Sequence, residues 1–96
     1  MKSDIIQHLE KVMVTIFGSS TCLYCLRCKQ LCESMQIEHE YLDVKEREPL
    51  LRFLELFPDE DGIPQILWKD EHIGGYAELA RKIDEYIIND NGEKYE

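Results

Sequence analysis

Long hydrophobic runs are absent from this chain. VMVTIF (12–17) is among its longest apolar stretches, whereas a membrane-spanning helix needs about 20 apolar residues. Basic residues are scarce: 11 Lys and Arg stand against 20 Asp and Glu, for a formal net charge of −9. Phosphate backbones demand clustered Lys and Arg, so nucleic acid is excluded as a partner. An anionic membrane surface is excluded on the same ground. Most of the negative charge reads as what keeps a small monomer soluble. The first eleven residues hold Asp4, His8 and Glu10 and no continuous apolar stretch. The expectation there is neither a signal peptide nor a lipid anchor. A cytoplasmic setting follows, in which lasting structural disulfides are unusual. Repeats, low-complexity stretches and linkers are also missing, and 1–96 reads as one small domain. Cysteine is absent everywhere except residues 22–32, which hold all four.

What is present is an alternation of short β-rich runs and amphipathic stretches. Ser3 and Asp4 can cap a short helix carrying Ile5, Ile6 and Leu9, so residues 1–11 read as an N-terminal helical extension. VMVTIF (12–17) reads as a buried strand, EHEYLDV (38–44) as a second, IPQILW (63–68) as a third and HIGG (72–75) as a brief fourth. Cys25, Cys28, Leu31, Cys32 and Met35 recur at helical spacing. Residues 46–57 read as a helix with Pro49 in its first turn and Leu50, Leu51, Leu54 and Phe57 inward. Pro58 and the DEDG after it stop that helix. Tyr76 to Ile88 reads as an amphipathic helix with Leu79, Ile83 and Ile87 on one side, and 90–96 as a frayed polar tail. Strands joined by a helix pair in parallel, and strands joined by a tight turn such as KDEH pair antiparallel. The prediction is an α/β domain: a mixed four-stranded sheet between helices.

The cysteines are spaced C-x2-C-x2-C-x3-C. One reading is a redox pair, Cys22 and Cys25, beginning a helix just after a strand. Unpaired backbone N–H groups and the positive end of the helix dipole favour a thiolate at Cys22, and the thiolate is the nucleophile. Cys25, one turn further in, can attack a mixed disulfide on Cys22 and release the product. In a cytosolic βαβ context this motif reads as thioredoxin-like. The other reading is four ligands for an iron–sulfur cluster or a metal, since the spacing is that of bacterial ferredoxins. Against it, Glu33 follows where those loops carry proline, no cysteine lies elsewhere, and the segment has helical rather than looping periodicity. A metal site is therefore not expected. Cys28 and Cys32 fall with Leu31 and Met35 on the core face, where free cysteine behaves as a small hydrophobe. Trp68 reads as core, and His8, His39 and His72 show no ligand spacing and read as surface.

Three blocks together resemble the glutaredoxin family of the thioredoxin-fold superfamily, including its small phage and viral members. TCLYC (21–25) resembles that family's Thr-Cys-Pro-Tyr-Cys site, GIPQI (62–66) its Thr-Val-Pro-Gln-Ile segment, and HIGGYAEL (72–79) its Ile-Gly-Gly block. The resemblance covers roughly 12–90 and implies a thioredoxin-like sheet in the order 2-1-3-4. It implies reduction of protein disulfides or glutathione mixed disulfides, with no bound cofactor and glutathione as reductant. Disulfide-containing proteins, ribonucleotide reductase among them, are the substrates it suggests. By carry-over Cys22 is the nucleophile, Cys25 the resolving thiol and Tyr24 a wall of the groove. Pro64 is a cis-proline, leaving the Ile63 backbone to pair with glutathione. Gly74 and Gly75 turn the chain, so that Tyr76 and Ala77 offer backbone N–H groups to a carboxylate.

The pattern is loosened in places. Leu23 replaces the proline between the cysteines, Ser19 a lysine near the glutathione carboxylate, and Ala77 an aspartate; Asp59, Glu60 and Asp61 add acid before Pro64. Two alternatives stay open: a thioredoxin-like protein reductase that does not use glutathione, and an iron–sulfur protein.

Overall fold

The structure, a computed structural model, describes residues 13–95, with side-chain surroundings as far as Tyr86. The predicted N-terminal helix, with its Ser3–Asp4 cap, Ile5, Ile6 and Leu9, lies outside the described residues, as do His8 and the side chain of Ile87. Strand β1 (Val14–Gly18) leads into helix α1 (Leu23–Ser34); then follow β2 (His39–Asp43), α2 (Arg47–Leu56), β3 (Gln65–Trp68), β4 (Glu71–Gly74) and α3 (Tyr76–Tyr95). The strands form one sheet in the order β2-β1-β3-β4. β1 runs parallel to β2 and antiparallel to β3, and β4 closes an antiparallel hairpin with β3. This is the mixed sheet the connections predict, and its order is the 2-1-3-4 that the resemblance implies.

β1 lies inside the sheet and is covered on both faces, so all five of its residues are buried. Alternation sends Val14 and Ile16 to one face, with Ile66 and Trp68 beside them, against Cys28 and Cys32 of α1 and Leu79 and Ile83 of α3. The other face carries Phe17 and Leu67 against Phe53 and Phe57 of α2. The three phenylalanines meet edge to face, with ring centroids 5.3–6.0 Å apart.

Several boundaries and faces differ from expectation. β3 begins at Gln65 and not Ile63, because Pro64 has no N–H to give a ladder. In α2 the leucines predicted to face inward are exposed: Leu50 at 39%, Leu51 at 50% and Leu54 at 52%. The helix meets the sheet along its Phe53–Phe57 line, four residues apart, and two rings fill that layer without the leucines. Met35 also leaves the core stripe. It is the C-cap of α1, and Gln36 beyond it takes φ +57 while Ile37 N–H donates back to Cys32 O at 2.9 Å. That turn ends the helix and swings Met35 outward. The last helix passes the predicted end at Ile88 and runs to Tyr95, since no proline intervenes.

Candidate active site

The chain leaves the sheet at Gly18, and the loop 19–21 carries it to α1. Cys22 is the N-cap, in extended conformation, and its sulfur accepts the Cys25 N–H at 3.2 Å. The sulfur thus takes one of the donors that a helix start leaves unpaired. Cys22 is half-buried and Cys25 fully buried. The two are joined as a disulfide with Cα atoms 5.2 Å apart, within the ordinary range.

The neighbourhood of Cys25 is tight. A Cβ on Gly18 would lie 2.7 Å from Cys25 Cβ, 2.8 Å from its Sγ and 2.9 Å from Tyr41 Oη. Tyr41 reaches across from β2 and donates its hydroxyl to Ser19 O at 2.6 Å, tying β2 to the active-site loop. Burial, and then the nearby charge of Asp43, pushes the Tyr41 phenol up from its usual range. Lys45 reaches the same loop, and its Nζ donates to Thr21 Oγ1 at 3.3 Å.

In the loop before β3, the Ile63–Pro64 peptide bond is cis and Pro64 is buried. The Gln65 side chain donates to Gly62 O at 3.1 Å and to Glu60 Oε1 at 3.4 Å, and its oxygen meets His72 Nε2 at 2.7 Å. His72 is exposed, as predicted, and also lies against Phe57. Gly74 takes φ +119, where a side chain is strained. Gly75 approaches Pro64: its Cβ would stand 3.4 Å from Pro64 O. The Tyr24 ring is exposed, 5.8 Å from that of Tyr76, with the Arg27 guanidinium 5.3 Å from its centroid. Ala77 is exposed in the first turn of α3. Glu78 folds back so that its carboxylate accepts the Gly75 N–H at 2.9 Å, which holds that carboxyl below its usual range.

Cys28 and Cys32 are free thiols with no exposed surface. Burial, and then the neighbouring Cys32, pushes Cys28 up to about 12; burial, and then Glu33, pushes Cys32 up to about 11. They are the core residues the helical stripe predicts. Among the described residues no group of three or more His, Cys, Asp or Glu is placed to hold a metal ion. Both folded-state values lie above the ordinary thiol value of 9.0. The stabilising preference for the protonated thiols is therefore complete below pH 9 and lost as pH climbs toward the folded values. Between pH 9 and 12 the melting temperature of the wild type should fall more steeply than that of a Cys28→Ala, Cys32→Leu double variant. Parallel slopes in thermal melts would contradict this.

Residues 14–73 match the family model described as Glutaredoxin. The chain belongs to the glutaredoxin family. As a glutaredoxin it is a thiol–disulfide oxidoreductase, with its Cys-x-x-Cys pair at the start of α1. Glutaredoxin 1 of Escherichia coli (strain K12) is 31% identical over 83 residues, covering 79% of this chain and 98% of that protein. Among solved structures, glutaredoxin 1 from Francisella tularensis complexed with cacodylate superposes with TM-score 0.66 at 26% identity, over 79% of this chain and 96% of that one. Reduced Escherichia coli glutaredoxin superposes with TM-score 0.61 at 30% identity, over 78% and 96%. The fold is thus thioredoxin-like. Among the described residues no helix is long and apolar enough to cross a membrane.

Of the predicted site residues, Cys22, Tyr24 and Cys25 stand at the start of α1, Ile63 and Pro64 just before β3, and Gly75, Tyr76 and Ala77 at the start of α3; the Tyr24–Tyr76 ring pair and the approach of Gly75 to Pro64 O link the three segments. Sequence reasoning missed Tyr41, Lys45 and Glu78. Glu78 is readable in hindsight of one rule: Gly75-x-x-Glu78 has capping-box spacing. Tyr41 and Lys45 follow only from the parallel register, Gly18 opposite Asp43, which brings the loop after β2 beside the loop after β1.

Proposed function

We propose that Cys22 is the nucleophile and Cys25 the resolving thiol of a glutathione-dependent reductase acting on protein disulfides or glutathione mixed disulfides. The observation that carries it is the Cys22 sulfur at the N-cap of α1, bonded to a buried Cys25 one turn below. The Cys22 thiolate attacks a substrate disulfide, forming a mixed disulfide and expelling one substrate thiolate. The Cys25 thiol then loses its proton and attacks Cys22 Sγ. The internal disulfide forms and the second substrate thiolate leaves. Two glutathione thiols supply the two electrons that reopen it, and leave as glutathione disulfide. Tyr24, Ile63, Pro64, Gly75, Tyr76 and Ala77 form the groove for glutathione. The protein works as a cytoplasmic monomer, and ribonucleotide reductase is one substrate of the required kind.

The Gly75 N–H is already taken by Glu78, so Tyr76 and Ala77 remain as backbone donors for a carboxylate. With Ala77 contributing no polar side chain, glutathione binds weakly for this family. Reduction of a glutathione mixed disulfide, coupled to NADPH through glutathione reductase, should proceed with a high Michaelis constant for glutathione. No turnover with glutathione, but turnover with a thioredoxin-type reductase protein, would overturn the glutathione assignment.

A further inference from the structure

The thiol exchange makes no use of His72, which is exposed on β4. Its imidazole is nonetheless the outer end of a bonded chain. Gln65, the first residue of β3, is buried. Its amide nitrogen donates to Gly62 O at 3.1 Å and to Glu60 Oε1 at 3.4 Å. A carbonyl and a carboxylate only accept, so the amide must present nitrogen to that side and oxygen to the other. The oxygen lies 2.7 Å from His72 Nε2, which must therefore carry the hydrogen and donate it. The imidazole is seated on the buried Phe57 ring, with centroids 4.5 Å apart. Phe57 O in turn accepts the Glu60 N–H at 3.1 Å. His72 thus reaches, through one amide, the loop that ends at the cis-proline.

That loop has little packing of its own. Residues 58–62 are exposed, and a Cβ on Gly62 would meet nothing within 4 Å. The Gln65 amide is what fastens Gly62 O, one residue before Ile63. We propose that His72 is a positioning residue. By orienting the Gln65 amide it fixes the Gly62–Ile63 backbone for pairing with the backbone of an incoming disulfide peptide. The pairing at Ile63 rests on the groove proposed above. The hold on the loop does not, and it can be tested without glutathione.

His72→Leu keeps an apolar side chain on Phe57 and removes the donor, leaving the Gln65 oxygen without its partner. His72→Gln restores an N–H near the place of Nε2. In the reduced protein, NMR order parameters of the Gly62 and Ile63 amides should fall in His72→Leu and recover in His72→Gln. In single turnovers against an excess of a disulfide-linked peptide, the half-saturating concentration should rise about three- to tenfold in His72→Leu, the scale of one neutral hydrogen bond. The maximal rate should stay unchanged, and His72→Gln should recover the wild-type value. Bis(2-hydroxyethyl) disulfide has no peptide backbone to pair, so all three proteins should reduce it equally fast. A merely structural loss would slow both substrates alike. Unchanged order parameters in His72→Leu, or an equal loss on the two disulfides, overturns the proposal. A wild type that reduces the peptide but is not recharged by glutathione refutes the glutathione reading and leaves the role of His72 standing.

Discussion

Cys22→Ser should bring disulfide reduction down to the uncatalysed background, and Cys25→Ser should stop the cycle halfway. The two outcomes differ because the cysteines stand in different surroundings. Cys22 is half-buried at a helix start, where a thiolate is favoured and a substrate can reach it. Cys25 has no exposed surface, so it meets only a sulfur already attached to Cys22. Without it the first exchange still occurs and nothing inside the protein resolves the product. Cys25→Ser incubated with a glutathione mixed disulfide should gain the mass of one glutathionyl group on Cys22. A Cys22→Ser protein that keeps wild-type turnover would place the nucleophile elsewhere.

The second large effect is expected at a residue with no side chain. A Cβ on Gly18 would meet Cys25 Cβ and Sγ and Tyr41 Oη, all within 2.7–2.9 Å. None of the three yields easily. Cys25 is fixed in α1, and Tyr41 is pinned by its bond to Ser19 O. Overpacking of this kind costs about 1–3 kcal/mol, or roughly 5–20 °C of melting temperature in a domain this small. Gly18→Ala should also slow closure of the Cys22–Cys25 disulfide, since relief comes by displacing Cys25. Gly62→Ala is the control: nothing lies within 4 Å of a Cβ there. Equal melting temperatures and equal disulfide kinetics for the two variants would refute the account of Gly18.

Local signals carried most of the fold. The β-rich runs, the proline and glycine stops and the tight turn after Trp68 are each written within a few neighbouring residues, and the connections then dictate which strands pair in parallel and which antiparallel, while the 2-1-3-4 order follows only from the resemblance to glutaredoxins. Cys22 and Cys25 were legible for the same reason, being a short motif at a strand-to-helix junction. Faces were harder. In α2, leucine and phenylalanine satisfy the same periodicity, and only the width of contact with Phe17 and Leu67 decides that Phe53 and Phe57 go inward while Leu51 and Leu54 do not. Met35 continues the helical spacing but is exposed, because α1 is capped there and the buried stripe stops at Cys32. Tyr41 and Lys45 act on residues more than twenty positions away. Such contacts depend on which residue of β2 lies opposite Gly18, a register that periodicity does not fix.

The depth gradient along α1 also decides how this protein meets oxidants. Peroxide attacks thiolates that it can reach, converting them to sulfenic acid and then to irreversible sulfinic and sulfonic acids. Cys28 and Cys32 are sealed in the core and held protonated, so they are poor targets. Cys22 is the accessible one, and a sulfenic acid formed there has a thiol one helical turn beneath it. Condensation with Cys25 expels water and returns the internal disulfide, the same species that turnover produces. Oxidative injury at this site therefore ends in a state that the normal reductant repairs.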